Sequence, residues 1–213
     1  MKTDDLIAVL ANGVAPIERR GVGKRFGAAL VLGAAMSMLL TAWVYGIRPD
    51  FAQALGTPIF WAKEAFAISL GCGALWLTVR LSRPGRAMGW AGAAVAAPLV
   101  AVLAATIAIL GAASPEQRVE LLVVNRWWAC ALNVAWLSIP SFLLVLGEIR
   151  ALAPTRLRLA GMSAGLLAGA IGCLAFSLRC DRIGVPSWSE WYVLGIFIPA
   201  AAGALIGPKI LRW

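Results

Sequence analysis

The sequence predicts an all-α integral membrane protein: a bundle of six transmembrane helices with a short cytoplasmic N-terminal helix. Hydrophobic residues make up 61% of the 213-residue chain and charged residues only 14%, against about 25% charged residues in soluble domains. Six apolar stretches each have about the 20 residues that a helix needs to cross a bilayer. These stretches are apolar on all sides and lack the alternating pattern of barrel strands, so we predict helices.

The six stretches divide the chain into a tail and a membrane domain. Residues 1–25 form the predicted cytoplasmic tail, and residues 26–213 form the predicted transmembrane domain. Connections of about 10–15 residues are too short for a soluble domain, which needs roughly 50. The predicted spans are Phe26–Gly46, Ile59–Leu81, Trp90–Ala112, Trp127–Leu146, Leu159–Leu178 and Tyr192–Leu211.

The tail begins with a segment that predicts a short amphipathic helix with a capping residue, an acidic first turn and an apolar face. A lone helix of this length is marginal in water, so we expect its apolar face to bind something. One interpretation places that face on the bilayer, with basic residues on anionic lipid. The other docks it in the groove of a cytoplasmic protein. The residues concerned are Thr3, Asp4, Asp5, Leu6, Ile7 and Leu10.

Lysine and arginine predict the orientation of the spans. If the N-terminus is cytoplasmic, thirteen of the nineteen basic residues lie inside and five outside, with Lys63 within a span. Short cytoplasmic connections carry this excess in membrane proteins. We therefore predict that both termini are cytoplasmic.

Small residues and prolines recur within the later spans. Four-residue spacing of glycine predicts close helix approach, and proline within a span predicts a kink. The glycines are Gly161, Gly165 and Gly169 on the fifth span and Gly203 and Gly207 on the sixth; the prolines are Pro98, Pro140 and Pro199.

Two of the four cysteines are candidates for chemistry. Cys130 and Cys180 fall near the outer ends of the fourth and fifth spans, where thiols can be oxidised. They are interpreted as a permanent disulfide, as two unrelated small residues, or as a pair that senses oxidant or thiophilic metal. Cys72 and Cys173 lie within spans and are interpreted as packed small residues. The chain contains no histidine, and two thiolates alone make a poor closed zinc site, so no cofactor or resident metal is predicted.

Lys63 and Glu64 are ionisable residues inside the second predicted span, which makes them functional candidates. In the simpler interpretation Lys63 extends outward to the membrane surface and Glu64 caps the helix or pairs with an arginine. In the other, the two residues couple an outer sensor to helix movement.

Several features together resemble one known family. These are the opening MKTDDLIAVLA followed by a proline and Arg19-Arg20, the six spans, the positions of Cys130 and Cys180, and the ending WYVLGIFIPAAAGALIGPKILRW. They resemble the NrsF family of bacterial inner-membrane anti-sigma factors, which partner extracytoplasmic-function sigma factors. The resemblance implies that Thr3–Leu10 binds the sigma factor and adds weight to a sensing role for the outer cysteines. It also implies a regulator of transcription that has no direct contact with nucleic acid. Because the sequence has no histidine and few outer carboxylates for acid–base chemistry, we predict that the protein is not an enzyme.

Two other functions fit the sequence less well. A small transporter or channel needs polar groups that converge near the membrane midplane, and most of the spans carry almost none. A membrane thiol oxidoreductase typically has a Cys-x-x-Cys motif, which the sequence lacks.

Overall fold

The computed structural model describes residues 19–83, 85–122, 127–180 and 184–212, and the regular elements in these ranges are helices. The predicted docking segment Thr3–Leu10 lies outside the described residues. The helices are α1 (Arg19–Val44), α2 (Phe51–Ala54), α3 (Pro58–Leu81), α4 (Trp90–Ala112), α5 (Pro115–Leu122), α6 (Trp127–Leu137), α7 (Ile139–Arg150), α8 (Leu157–Ser177) and α9 (Val185–Ile210).

The all-helical, apolar character that the sequence predicts is confirmed. Within the described ranges, α1, α3, α4, α8 and α9 are each long and apolar enough to cross a membrane. The fourth predicted span is a bent pair, Ala129–Leu137 and Ile139–Arg150, with an angle of 42° between the two parts. The structure therefore contains five straight candidate spans, or six if the bent pair is one span.

Two helices begin earlier than predicted. Helix α1 starts at Arg19 rather than Phe26, and α9 starts at Val185 rather than Tyr192. The first turns of α9 contain the polar residues Ser187, Ser189 and Glu190, which is why the predicted apolar span begins only after them. The two serine hydroxyl groups are satisfied inside the protein: Ser187 Oγ donates to the Gly184 carbonyl at 2.8 Å, and Ser189 Oγ lies 2.8 Å from Thr106 Oγ1 of α4.

Helix α8 is the centre of the bundle. It packs against α1, α3, α6, α7 and α9, and nearly all of its residues are buried. Its many Gly and Ala residues permit this, because neighbouring backbones can approach where side chains are small. By contrast, α1 packs mainly against α7 and α8 and leaves most of its surface exposed.

The glycines of the fifth and sixth spans lie at close helix contacts, as their spacing predicts, and the structure shows that these two spans are the helices that approach each other. A methyl group added at Gly165 of α8 would lie 2.5 Å from the carbonyl carbon of Pro199 and 2.6 Å from Ala200 Cα, both on α9. A methyl group at Gly203 would lie 2.7 Å from the carbonyl carbon of Gly161. At Gly165 and Gly203 the two helices touch through backbone atoms, so neither position has room for a Cβ atom.

The bend between α6 and α7 lies at Ser138, two residues before the predicted kink at Pro140. Pro140 has no N–H to donate to the preceding turn, which weakens the helix there. Next to this point, Ser138 Oγ donates to the carbonyl of Ala135 at 2.6 Å. Pro98 and Pro199 lie within continuous helices, α4 and α9.

The bundle has two distinct ends. The tail end is where α1 begins, and there Arg25 of α1 pairs with Glu148 of α7 at 3.6 Å. The distal end carries residues 45–57, 178–180 and Gly184. The side chains singled out by the sequence, Lys63, Glu64 and Cys180, lie at the distal end.

Candidate functional site

Cys180 lies just beyond the end of α8, inside the protein. Its backbone N–H donates to the carbonyl of Phe176 at 3.0 Å, which continues the last helical turn. The residue is only 5% exposed. The thiol that the sequence placed in an outer connection therefore sits within packed protein at the distal end.

Lys63 of α3 faces this thiol. Its Nζ lies 4.0 Å from Cys180 Sγ, and the residue is 3% exposed. The interpretation in which Lys63 extends outward is therefore wrong, because the side chain ends inside the bundle. An ammonium group this close stabilises negative charge that develops on the sulfur.

Glu64 is half-buried on the same turn of α3 and lies beside Ser177 of α8. Among the described residues, the ion pairs are Arg25–Glu148 and Arg48–Asp50. Glu64 therefore has no arginine partner in the described part of the chain, in contrast to the simpler interpretation of its role. Its Oε1 is buried without a hydrogen-bond partner among these residues.

An aromatic cluster packs around the thiol. The Trp188 and Tyr192 rings of α9 meet at 5.7 Å between centroids, and Trp188 lies 5.8 Å from Phe66 of α3. Tyr192, Cys180 and Cys173 belong to the same buried cluster. Because the cluster is densely packed, any group added to the Cys180 sulfur displaces neighbouring side chains.

Arg48 connects the end of α1 to the Cys180 segment, a contact that sequence reasoning missed. Its Nη1 donates to the Cys180 carbonyl at 3.1 Å, and its backbone N–H donates to the Leu178 carbonyl at 3.2 Å. The guanidinium also binds Asp50 at 2.7 and 2.5 Å. This hydrogen bond holds the pKa of the Asp50 carboxyl below its usual value. The sequence feature that could have indicated this contact is the Arg-x-Asp triplet of residues 48–50 in the first outer connection.

Cys130 lies on α6, half-buried and packed against the core. One turn further along α6, Asn133 Oδ1 accepts a hydrogen bond from the Tyr45 hydroxyl at 2.9 Å. Tyr45 follows the last residue of α1 and also packs edge-on against Phe176. Neither Tyr45 nor Asn133 was singled out in the sequence, because each is a single polar residue at the margin of an apolar span.

The other two cysteines differ from each other. Cys173 is fully buried, as predicted. Cys72 is exposed, so its interpretation as a packed residue is wrong. It faces an apolar groove of about 290 Å³ between α1, α3 and α8. All four cysteines are free thiols in the structure, and the pairing of Cys130 with Cys180 stays a prediction.

Among the described residues, no group of three or more cysteine and carboxylate side chains could hold a metal ion. What the distal end offers is a buried thiol beside an ammonium group, connected by hydrogen bonds to the end of α1.

Comparisons with known proteins agree over the whole chain. The NrsF family, described as "Negative regulator of sigma F", matches residues 10–213. The chain is 42% identical over 213 residues to the "Probable anti-sigma-F factor NrsF" of Azospira oryzae, with all of both chains covered. It is 32% identical over 217 residues to the "Anti-sigma-F factor NrsF" of Caulobacter vibrioides, again with full coverage. No solved structure matches it. The chain therefore belongs to the NrsF family of anti-sigma factors, the negative regulators of sigma F.

Proposed function

We propose that this protein is an inner-membrane anti-sigma factor that holds an extracytoplasmic-function sigma factor at its cytoplasmic tail. Release follows when thiols at the distal end react with an oxidant or a thiophilic metal. The observation that carries the sensing role is the buried contact between Lys63 Nζ and Cys180 Sγ at 4.0 Å. The family match and the names of both full-length relatives support the anti-sigma role.

The proposed topology has six spans, with the bent pair α6–α7 counted as one. An even number of spans puts both termini on one side of the membrane. The excess of basic residues at the tail end favours the cytoplasm for that side. The distal end, with Cys180, then faces the periplasm, where thiols can be oxidised.

The proposed docking element is the tail segment with the residues Thr3, Asp4, Asp5, Leu6, Ile7 and Leu10. An amphipathic helix of this kind binds by laying its apolar face into a groove of the partner. Its acidic first turn disfavours the alternative in which the helix lies on an anionic leaflet. The protein then acts on transcription through the sigma factor, without contact to DNA and without a catalytic step.

The proposed stimulus acts on Cys180 together with Cys130. A sulfur that is oxidised or bound to a soft metal needs more room than the thiol, and Cys180 is only 5% exposed. The modified residue therefore favours a different packing of the distal end. Release occurs only if the sigma factor binds the two packings with different affinity.

The test is co-purification of the sigma factor with the membrane protein, with and without residues 1–10. We expect capture by the full chain, loss of capture by the truncated chain, and release from the full chain after peroxide or cadmium treatment. Cys130→Ser and Cys180→Ser are expected to capture the sigma factor but not release it, whereas Cys72→Ser, a control at an exposed thiol, behaves like wild type.

Each role has its own contrary result. Capture that persists without residues 1–10 would overturn the docking role. Normal release from both Cys130→Ser and Cys180→Ser would overturn the sensing role and leave the docking role intact.

A further inference from the structure

We propose that Tyr45 and Arg48 are positioning residues that couple both thiol-bearing segments to helix α1, and through α1 to the tail. This inference rests on the proposed function and names the contacts through which a change at the thiols reaches the partner. Each residue is bonded to a segment that carries a thiol and is proposed to act through that segment.

Arg48 provides the coupling to the Cys180 segment. Two donors of this one residue bind two carbonyls on either side of Arg179: the backbone N–H binds Leu178 and the guanidinium binds Cys180. The side chain is only 10% exposed, and Asp50 holds the guanidinium in place. A displacement of residues 178–180 therefore either moves Arg48 or breaks both hydrogen bonds.

Tyr45 provides the coupling to the Cys130 segment. Its hydroxyl binds Asn133, which lies one turn from Cys130 on α6. Residues three apart on a helix share a face, so a rotation of α6 that repositions Cys130 also repositions Asn133. Tyr45 packs edge-on against Phe176 as well, at 6.3 Å between ring centroids. The connection that directly follows α1, residues 45–48, is thus hydrogen-bonded to both thiol-bearing segments.

Helix α1 is suited to pass on a displacement. It packs mainly against α7 and α8 and is mostly exposed, so it moves with less repacking than the central helix α8. About two turns from its distal end, Ser37 Oγ lies 3.2 Å from Ser141 Oγ of α7. That contact can serve as a pivot, because a lateral shift of the distal end of α1 then moves the tail end in the opposite direction.

The experiment measures sigma-factor affinity before and after peroxide for wild type, Tyr45→Phe and Arg48→Gln in lipid nanodiscs. Trp43→Phe and Arg118→Gln serve as matched controls, since Trp43 is 86% exposed on α1 and Arg118 binds only carbonyls of residues 111 and 113 in the described contacts. Allosteric coupling typically changes affinity by about 5–150-fold. We expect the sigma-factor affinity of wild type and of the controls to change by such a factor on peroxide treatment. In Tyr45→Phe and Arg48→Gln we expect the affinities before and after peroxide to agree within about twofold. Mass spectrometry is expected to show unchanged oxidation of Cys180 in all of them.

Two results overturn the inference, and they are distinguishable. Wild type is also treated with cadmium; if its affinity responds to neither peroxide nor cadmium, the proposed sensing role fails and the coupling fails with it. If wild type responds and Tyr45→Phe and Arg48→Gln respond equally, the coupling alone is refuted. Should Arg48→Gln not accumulate in the membrane, Tyr45→Phe decides, because it removes a single hydroxyl and keeps the ring contact with Phe176.

Discussion

Replacing Gly165 with alanine tests the most constrained contact in the bundle. The added methyl group would lie 2.5 Å from the Pro199 carbonyl carbon and 2.6 Å from Ala200 Cα. Both atoms belong to the backbone of α9, so no side-chain rotation relieves the overlap. Helices α8 and α9 must separate by about 1 Å to restore ordinary van der Waals contact, and gaps of this size forfeit a quarter to a half of each contact's attraction.

The magnitude follows from comparison with Gly147→Ala, because nothing lies within 4 Å of a methyl group added at Gly147 of α7. Both substitutions gain helix propensity of at most about 1 kcal/mol, and this gain cancels in the comparison. Overpacking of a well-packed core costs about 1–3 kcal/mol. We therefore expect the free energy of unfolding of Gly165→Ala to be lower than that of Gly147→Ala by about 1–3 kcal/mol.

The assay is reversible unfolding in mixed micelles, followed by tryptophan fluorescence, with both variants measured beside wild type. Equal unfolding free energies for Gly165→Ala and Gly147→Ala, within about 0.5 kcal/mol, would refute the reasoning, since the backbone contact of α8 with α9 would then be absent or easily relieved. A loss for both variants would instead indicate that alanine is poorly tolerated in these helices generally.

Three further predictions concern the reactivity of the thiols and the loss of stability at acid pH. Lys63→Met is expected to slow peroxide oxidation of Cys180 at least about tenfold. A tenfold change corresponds to about 1.4 kcal/mol, a third of the roughly 4 kcal/mol between unit charges 4 Å apart at an effective dielectric of 20. Lys63→Arg keeps the charge and serves as the control, and equal oxidation rates for the two variants would contradict the prediction. A membrane-permeable maleimide is expected to label the fully buried Cys173 only after unfolding, and rapid labelling of Cys173 in the folded protein would show that its site is open. Because a hydrogen bond from its arginine partner lowers the pKa of Asp50, the stabilisation from this bond is present above the ordinary value of 3.8 and lost as the pH falls through the lowered one. Near neutral pH, wild type is therefore expected to melt at a higher temperature than Asp50→Asn, and this difference is expected to vanish in acid. A difference that persists in acid would point to another cause.

The spans were predictable from the sequence because a bilayer imposes a local requirement. Each stretch must satisfy its own backbone hydrogen bonds and be long enough to cross, and both properties can be read from about 20 consecutive residues. The role of these glycines in close helix contact was also predictable from local sequence, since the four-residue spacing of Gly161, Gly165 and Gly169 places them on one helix face. The start of α9 was not predictable from hydropathy, because its polar first turns are buried by α3 and α4, as the contact of Ser189 with Thr106 shows.

The composition of the site was only partly predictable. Lys63 and Cys180 were each singled out as unusual, but they are separated by 117 positions, and nothing in the sequence indicates that they touch. Tyr45, Arg48 and Asn133 were not singled out at all, since a tyrosine, an arginine or an asparagine at the end of an apolar span is ordinary in membrane proteins.

The sequence by itself determined the class of the protein, the number of apolar stretches, the excess of charge at one end and the residue types available for chemistry. These depend on the local exchange of water for lipid and on charge counts, and need no knowledge of which helices are neighbours. Only the tertiary structure decided that α8 is central, that Cys180 is buried against Lys63 while Cys72 is exposed, and that the connection after α1 is hydrogen-bonded to both thiol-bearing segments. Which side of an apolar helix faces protein and which faces lipid depends on packing between distant segments, because both environments are equally apolar.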